Sequence, residues 1–330
     1  MDPIMDPKEK RKNAVALARQ GETFRLMAIN GQDVQNSKRF FDKAATAFKE
    51  AIDIEHQDDS QYAWAWAHWG STLSYLGGMM RKSELEKPIR YEEAETKFLK
   101  AIKLNNQYAW AFAHMGQNYC WWGINLIEHG KDEGLNYLNK AISDCFKTAI
   151  KIDPYYAWAY AKMAFAYRFL ALVEGEDKKE TQVNYDEAVS CLGKAIEQNQ
   201  EYAWAYAYLA VIHRQKARAY KNVSSQVTDP DRKLTLMEKQ STEWEKVYDN
   251  LEKAVKIYPA VFEPPKFLDI GCFNLEPVRN QPSTSETCEN PSEKDDKYTL
   301  YAKAVSKVHK EGYLAAEADI DKVLAAFAKE

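Results

Sequence analysis

Large apolar side chains recur along this chain at spacings of three and four residues, which places them on one face of a helix. Four such stripes stand out: Tyr62/Trp66/Trp69/Leu73, Tyr108/Phe112/Met115/Tyr119, Tyr156/Tyr160/Met163/Tyr167 and Tyr202/Tyr206/Leu209. Each opens on the phrase Tyr-Ala-Trp-Ala, and successive openings lie 46, 48 and 46 residues apart. Self-similarity at such a period marks an array of stacked structural units. A small residue follows the third stripe member each time: Gly70, Gly116, Ala164 and Ala210. Glycine inside a helix costs about 1 kcal/mol relative to alanine, so its return at one phase predicts close approach of a second helix.

A second helix follows each stripe and ends in an Ala-Ile-like pair: Phe98/Ala101/Ile102, Phe146/Ala149/Ile150, Leu192/Ala195/Ile196 and Leu251/Ala254/Val255. Asn105-Asn106, Asp153-Pro154, Asn199-Gln200 and Tyr258-Pro259 then supply the stops. Upstream, the pattern predicts helices over 13–29, with Leu17, Gln20, Gly21 and Phe24 in register, and over about 38–54, with Ala44, Phe48 and Ala51 on one face. Residues 1–12 are charged, carry two prolines and are expected to fray. The array then spans 13–259. Residues 260–330 read as a degenerate last unit, with a polar loop at 274–297 and a terminal capping helix.

Composition adds limits. The chain has 330 residues, a formal net charge of −4 and five scattered cysteines with no CxxC spacing. These are read as reduced thiols of a cytoplasmic chain, with neither a disulfide framework nor a zinc site. No apolar leader and no run of about 18 apolar residues is present, which argues against secretion or membrane spanning.

The chain resembles a tetratricopeptide repeat (TPR) protein. Trp66/Trp69/Gly70, Phe112/Met115/Gly116/Tyr119 and Tyr160/Met163/Ala164/Tyr167 match the family's helix A. Ala94/Phe98/Ala101, Ile142/Phe146/Ala149/Pro154 and Ala188/Leu192/Ala195 match its helix B. The departure is the period, since the family unit has 34 residues. The extra residues fall between helix A and helix B, around 77–90 and 174–184, where longer helices or longer loops would absorb them. The resemblance implies an all-α, right-handed α-solenoid of antiparallel helix pairs whose A helices line a concave, partner-binding face.

Catalytic signatures are missing: there is no GxxxxGK[ST], GxGxxG, HExxH or GxSxG. No catalytic residue, cofactor or metal site is assigned, and His68 and His114, at one repeat position, are read as a tolerant surface site. By the resemblance, ligand-facing residues occupy the second, fifth, ninth, twelfth and thirteenth places of helix A. The fifth is alanine throughout (Ala18, Ala67, Ala113, Ala161, Ala207), which disfavours the family's lysine-based carboxylate clamp. The second-place tryptophans (Trp64, Trp110, Trp158, Trp204) are read as inter-repeat filling. The remaining places vary, and from them Arg25, Tyr75, Gln117, Trp121, Phe165, Arg168, Phe169 and Arg214 form the expected partner-binding set. Arg168 and Arg214 are expected to pair with carboxylates.

The expected function is a non-catalytic scaffold or adaptor holding a protein or peptide that carries acidic and apolar residues. The alternative is a ligand-responsive regulatory subunit or sensor of a larger complex. A short basic run (Arg214, Lys216, Arg218, Lys221) keeps nucleic acid as an outside option, disfavoured by the overall acidity.

Overall fold

The computed structural model describes residues 7–30, 34–54, 62–80, 89–175 and 179–257. Eleven α-helices lie among them: α1 (Pro7–Ile29), α2 (Val34–Ile54), α3 (Ala63–Met80), α4 (Ile89–Leu104), α5 (Ala109–Glu128), α6 (Gly134–Lys140), α7 (Lys147–Ile152), α8 (Ala157–Glu174), α9 (Lys179–Gln198), α10 (Ala203–Gln226) and α11 (Pro230–Ile257). One π-helical turn, Ala141–Phe146, joins α6 to α7. No strand occurs among the described residues, and the chain is an all-α repeat of helix pairs. The expected loop at 274–297 and the capping helix lie outside the described residues. The first helix starts at Pro7 and takes in 7–12, which the sequence pattern assigns to a frayed end.

Contacts divide the chain into two compact units that meet within α8, the first ending at Ala166 and the second beginning at Tyr167. In the first, α1 packs on α2, α3 on α4, and α5 on the α6–α7 pair, while α2 also meets α3, and α5 meets both α3 and α4. In the second, α10 packs on α9 and on α11.

The recurrent small residue does what its phase predicts. A Cβ built on Gly21 would stand 3.1 Å from the Phe48 ring, one on Gly70 3.1 Å from Phe98, and one on Gly116 2.9 Å from Phe146. Two turns later, Gly77 faces Tyr91, and Gly123 faces the Gly134 carbonyl and Leu138. Higher numbers on the A helix meet lower numbers on the B helix, so the pairs are antiparallel.

The stops are one turn used three times. The side chains of Asn105, Asp153 and Asn199 accept from the backbone N–H groups of Gln107 (3.0 Å), Tyr155 (3.0 Å) and Glu201 (3.1 Å). Such Asx turns replace the helix's own hydrogen bonds and re-aim the chain. The tyrosines of the repeat phrase enter the next helix from that turn, with Tyr108, Tyr156 and Tyr202 N–H donating to the carbonyls of Asn105, Asp153 and Asn199. Asp229 starts α11 in a related way, accepting from Arg232 N–H at 2.9 Å with Pro230 as the first helical residue.

The π turn explains why one interval is 48. Tyr62 to Tyr91 and Tyr156 to Tyr185 are both 29 residues, whereas Tyr108 to its counterpart Leu138 is 30. Ala94 to Phe98 and Ala188 to Leu192 are both four residues, whereas Ala141 to Phe146 is five. One residue enters the connection and one enters the π turn, where Lys147 N–H reaches back to the Ile142 carbonyl. The helix-B match is therefore corrected: Ala141, not Ile142, is the counterpart of Ala94. In the last described pair the extra residues lengthen helices, while 81–88 and 176–178 lie outside the described residues. Only three residues separate the 24-residue α10 from the 28-residue α11.

Candidate partner-binding face

The A helices carry tryptophan at the second place and His68, His114, Lys162 and Tyr208 at the sixth, one turn on. In the first unit these side chains interleave. His68 stacks on Trp110 across the α3–α5 seam (ring centroids 4.3 Å apart), Trp110 on His114 (3.7 Å), and His114 on Trp158 of α8 (4.4 Å). Trp64 meets His68 edge-on at 5.8 Å, and the Lys162 ammonium lies 5.7 Å from the Trp158 ring and 5.9 Å from Phe165. This corrects the expectation of a tolerant surface position, since the His68 side chain is 15% exposed and His114 9% exposed. The ladder gains apolar area and ring–ring geometry at once, worth about 0.5–1.5 kcal/mol per pair beyond area alone.

The ladder is charged at one end. Glu22, at the ninth place of α1, accepts two hydrogen bonds from the Arg25 guanidinium (2.7 and 2.8 Å) and one from His68 Nδ1–H (2.5 Å). Burial alone would raise the Glu22 pKa, but those two donors bring it down to about 2. Burial holds His68 below its ordinary value even with Glu22 beside it. His114 is pushed well below its ordinary value, by burial first and then by Arg25, His68 and Lys162. Tyr108 is raised to about 12 by burial. Arg25 also lies 5.9 Å from the Trp110 ring.

Of the expected binding set, Arg25, Tyr75, Gln117, Trp121 and Phe165 stand on A helices of the first unit, and among them Tyr75 and Trp121 are in contact. Tyr75 stacks on Phe41 (5.3 Å) and tilts onto Trp121 (5.1 Å), and Trp121 also covers Gly78. Trp121, Gln117 and Phe165 are buried, and Tyr75 is half-buried. In the second unit, Arg168 is fully buried, its Nε–H donating to Gln215 Oε1 (2.8 Å) and its Nη1 to Tyr208 OH (3.2 Å), with Phe169 5.2 Å away. Arg214 is buried as well. The two arginines expected to reach a partner's carboxylates are thus enclosed, Arg168 against side chains of its own unit.

The second unit also holds an ionic cluster that sequence reading missed. His213 Nδ1–H donates to Glu243 (2.6 Å), Lys246 reaches the same carboxylate (3.0 Å), and Lys216 lies between Asp186 (2.7 Å) and Glu243 (3.8 Å). Burial would raise Glu243, yet His213 and the lysines bring it down to about 2. The cluster ties α9, α10 and α11 together and draws Lys216 out of the basic run expected for nucleic acid.

No group of three or more His, Cys, Asp and Glu is placed to hold a metal among the described residues, and none of the described helices is long and apolar enough to cross a membrane. Cys120, Cys145 and Cys191 are buried free thiols.

No known family profile matches the chain, and no curated protein does. Among solved structures it is similar to MamA (20% identity, TM-score 0.37, covering 68% of this chain and 98% of that one). It is similar also to TTC0263, a thermophilic TPR protein in Thermus thermophilus (14%, 0.39, 73% and 96%), and to the TPR protein YrrB (18%, 0.34, 72% and 94%). By its four-fold repeat phrase, its glycine-seated antiparallel helix pairs and its turns, the chain is an all-α protein of repeated antiparallel helix pairs.

Proposed function

We propose that this protein is a non-catalytic interaction scaffold that holds a polypeptide partner on the face built by its A helices. The observation that carries the reading is the Trp–His ladder of the first unit, with Arg25 and Lys162 set against it. Helix packing alone asks only for apolar filling at these places. A row of aromatic faces with two cations and one acid offers stacking, cation–π and charge-assisted contacts to a guest. That chemistry suits a segment carrying acidic and apolar side chains. The role as an adaptor, or as a regulatory subunit whose partner's activity responds to binding, follows from the same face.

The test is affinity capture from the native host with three baits: wild type, Lys162→Glu, and Lys103→Glu on the exposed side of α4. Circular dichroism first shows that each bait is folded. A protein retained by wild type and Lys103→Glu but lost by Lys162→Glu supports the reading. Equal capture by all three overturns it.

A further inference from the structure

Two rungs of the ladder have the same architecture and different electrostatics. His68 is stacked against tryptophans and receives a carboxylate from the ninth place of the preceding A helix, Glu22. His114 is stacked more tightly, between Trp110 and Trp158. The ninth place of its preceding A helix, α3, is Ser71, which brings no charge and whose Oγ makes no hydrogen bond among the described residues. Neither ring nitrogen of His114 has a hydrogen-bond partner there either, although the residue is only 9% exposed. The groups that bear on it electrostatically are Arg25 from α1, His68 from α3 and Lys162 from α8. The acid that meets this row is Glu22, and it is engaged by Arg25 and His68.

We propose that His114 is a carboxylate-receiving site: an acidic side chain of the partner polypeptide takes at His114 the place that Glu22 takes at His68. The inference rests on the A-helix reading above and specifies its chemistry. The pair inside the protein is the template, because it shows that a stacked imidazole on this face accepts a carboxylate partner at hydrogen-bond distance with a guanidinium alongside. At the second rung Arg25 and Lys162 both bear on the ring, and each favours a guest's negative charge there.

The arrangement couples binding to protons. Without a guest, burial and the neighbouring cations disfavour the imidazolium. A carboxylate at the ring works against both, as Glu22 does at His68 without lifting that ring to its ordinary value, so proton uptake on binding, and the rise in affinity with falling pH, lie below the ordinary imidazole range. Tyr108, raised by burial, stays neutral over this range, and Glu22 stays ionised.

The experiment uses the full chain and a fluorescein-labelled peptide of alternating glutamate and leucine, with its glutamine-for-glutamate counterpart, between pH ~7.5 and ~5.5. Expected is binding of the glutamate peptide that tightens only as pH falls below about 6.5, by at most about tenfold per pH unit, no such dependence for the glutamine peptide, and an upward shift of the His114 ring titration in NMR spectra on binding. His114→Gln removes the pH dependence. Ser71→Glu supplies the acid in cis, raises the His114 titration and blocks the peptide. His114→Phe keeps the stack and guards against loss of fold as the explanation. Glutamate-peptide binding that is independent of pH and unchanged in His114→Gln overturns this site while leaving the A-helix face as an interaction surface. Failure of both peptides to bind wild type at every pH overturns both.

Discussion

His68 and Trp110 lie face to face across the seam between α3 and α5, 4.3 Å apart with ring planes within 14° of parallel. The contact joins one repeat to the next through side chains that a purely structural filler would not require. His68→Phe therefore keeps most of the seam, while His68→Ala removes the stack and costs about 2–3 kcal/mol by analogy with other large-to-small changes. Denaturant unfolding of the two variants measures the difference.

Two paired carboxylates, one half-buried and one buried, make stability depend on acid. Glu22 and Glu243 each titrate at about 2 in the folded protein against 4.5 in a free side chain. A depressed folded pKa contributes stability that is present above the unfolded value and lost as pH falls through the folded one. Wild type should lose stability as pH falls from 4.5 towards 2, by about 1–2 kcal/mol per group once solvent screening is allowed for. Glu22→Gln and Glu243→Gln should each flatten that fall while lowering stability at neutral pH. Thermal melts across this pH range check it.

The helix crossings are set by backbone approach. A Cβ on Gly123 would stand 2.6 Å from the Gly134 carbonyl oxygen, so Gly123→Ala must push α5 and α6 apart. The expected loss is about 1–3 kcal/mol. Gly193 in α9 has nothing within 4 Å of a Cβ, so Gly193→Ala should stabilise by about 0.5–1 kcal/mol through helix propensity. Opposite shifts in melting temperature are the result to look for.

The π turn is one inserted residue, and removing it should be tolerated. Deleting the exposed Ser143 brings Ala141 and Phe146 to the four-residue spacing of Ala94 and Phe98. The same deletion at Glu95 in α4 shifts Phe98 off Gly70 and should unfold that pair. Helicity and cooperative melting of the two deletion variants separate these outcomes.

Arg168 is a structural arginine within the second unit. Arg168→Ala leaves Gln215 Oε1 without its donor in a buried setting, at a cost of about 1–3 kcal/mol for the unsatisfied acceptor. The size of the melting shift tests it.

Periodicity carried most of the fold. Stripes at three and four, a small residue at one phase and an Asn or Asp stop are local signals, and each maps onto a helix pair, a Gly–Phe seat or an Asx turn. The π turn escaped because Ile142 offers a plausible apolar partner one residue from Ala141, and spacing alone cannot choose between them. The site was less legible. Arg168 reads as a groove residue because an arginine is rarely buried, yet Gln215 and Tyr208, 47 and 40 residues away, supply its partners. His68 and His114 read as tolerant because Lys162 and Tyr208 share their place. What unites the four is a flat or cationic group one turn after a tryptophan, and that signal is present in the spacing.

The central claim is that the partner lies on the A-helix face, and site-specific photo-crosslinking tests it most directly. A photoreactive phenylalanine analogue placed at Tyr75 on α3, and separately at Leu99, which is 51% exposed on α4, reports which face a bound partner touches in host extract. The account predicts a partner adduct from position 75 and none from position 99. An adduct from 99 with none from 75 would contradict it.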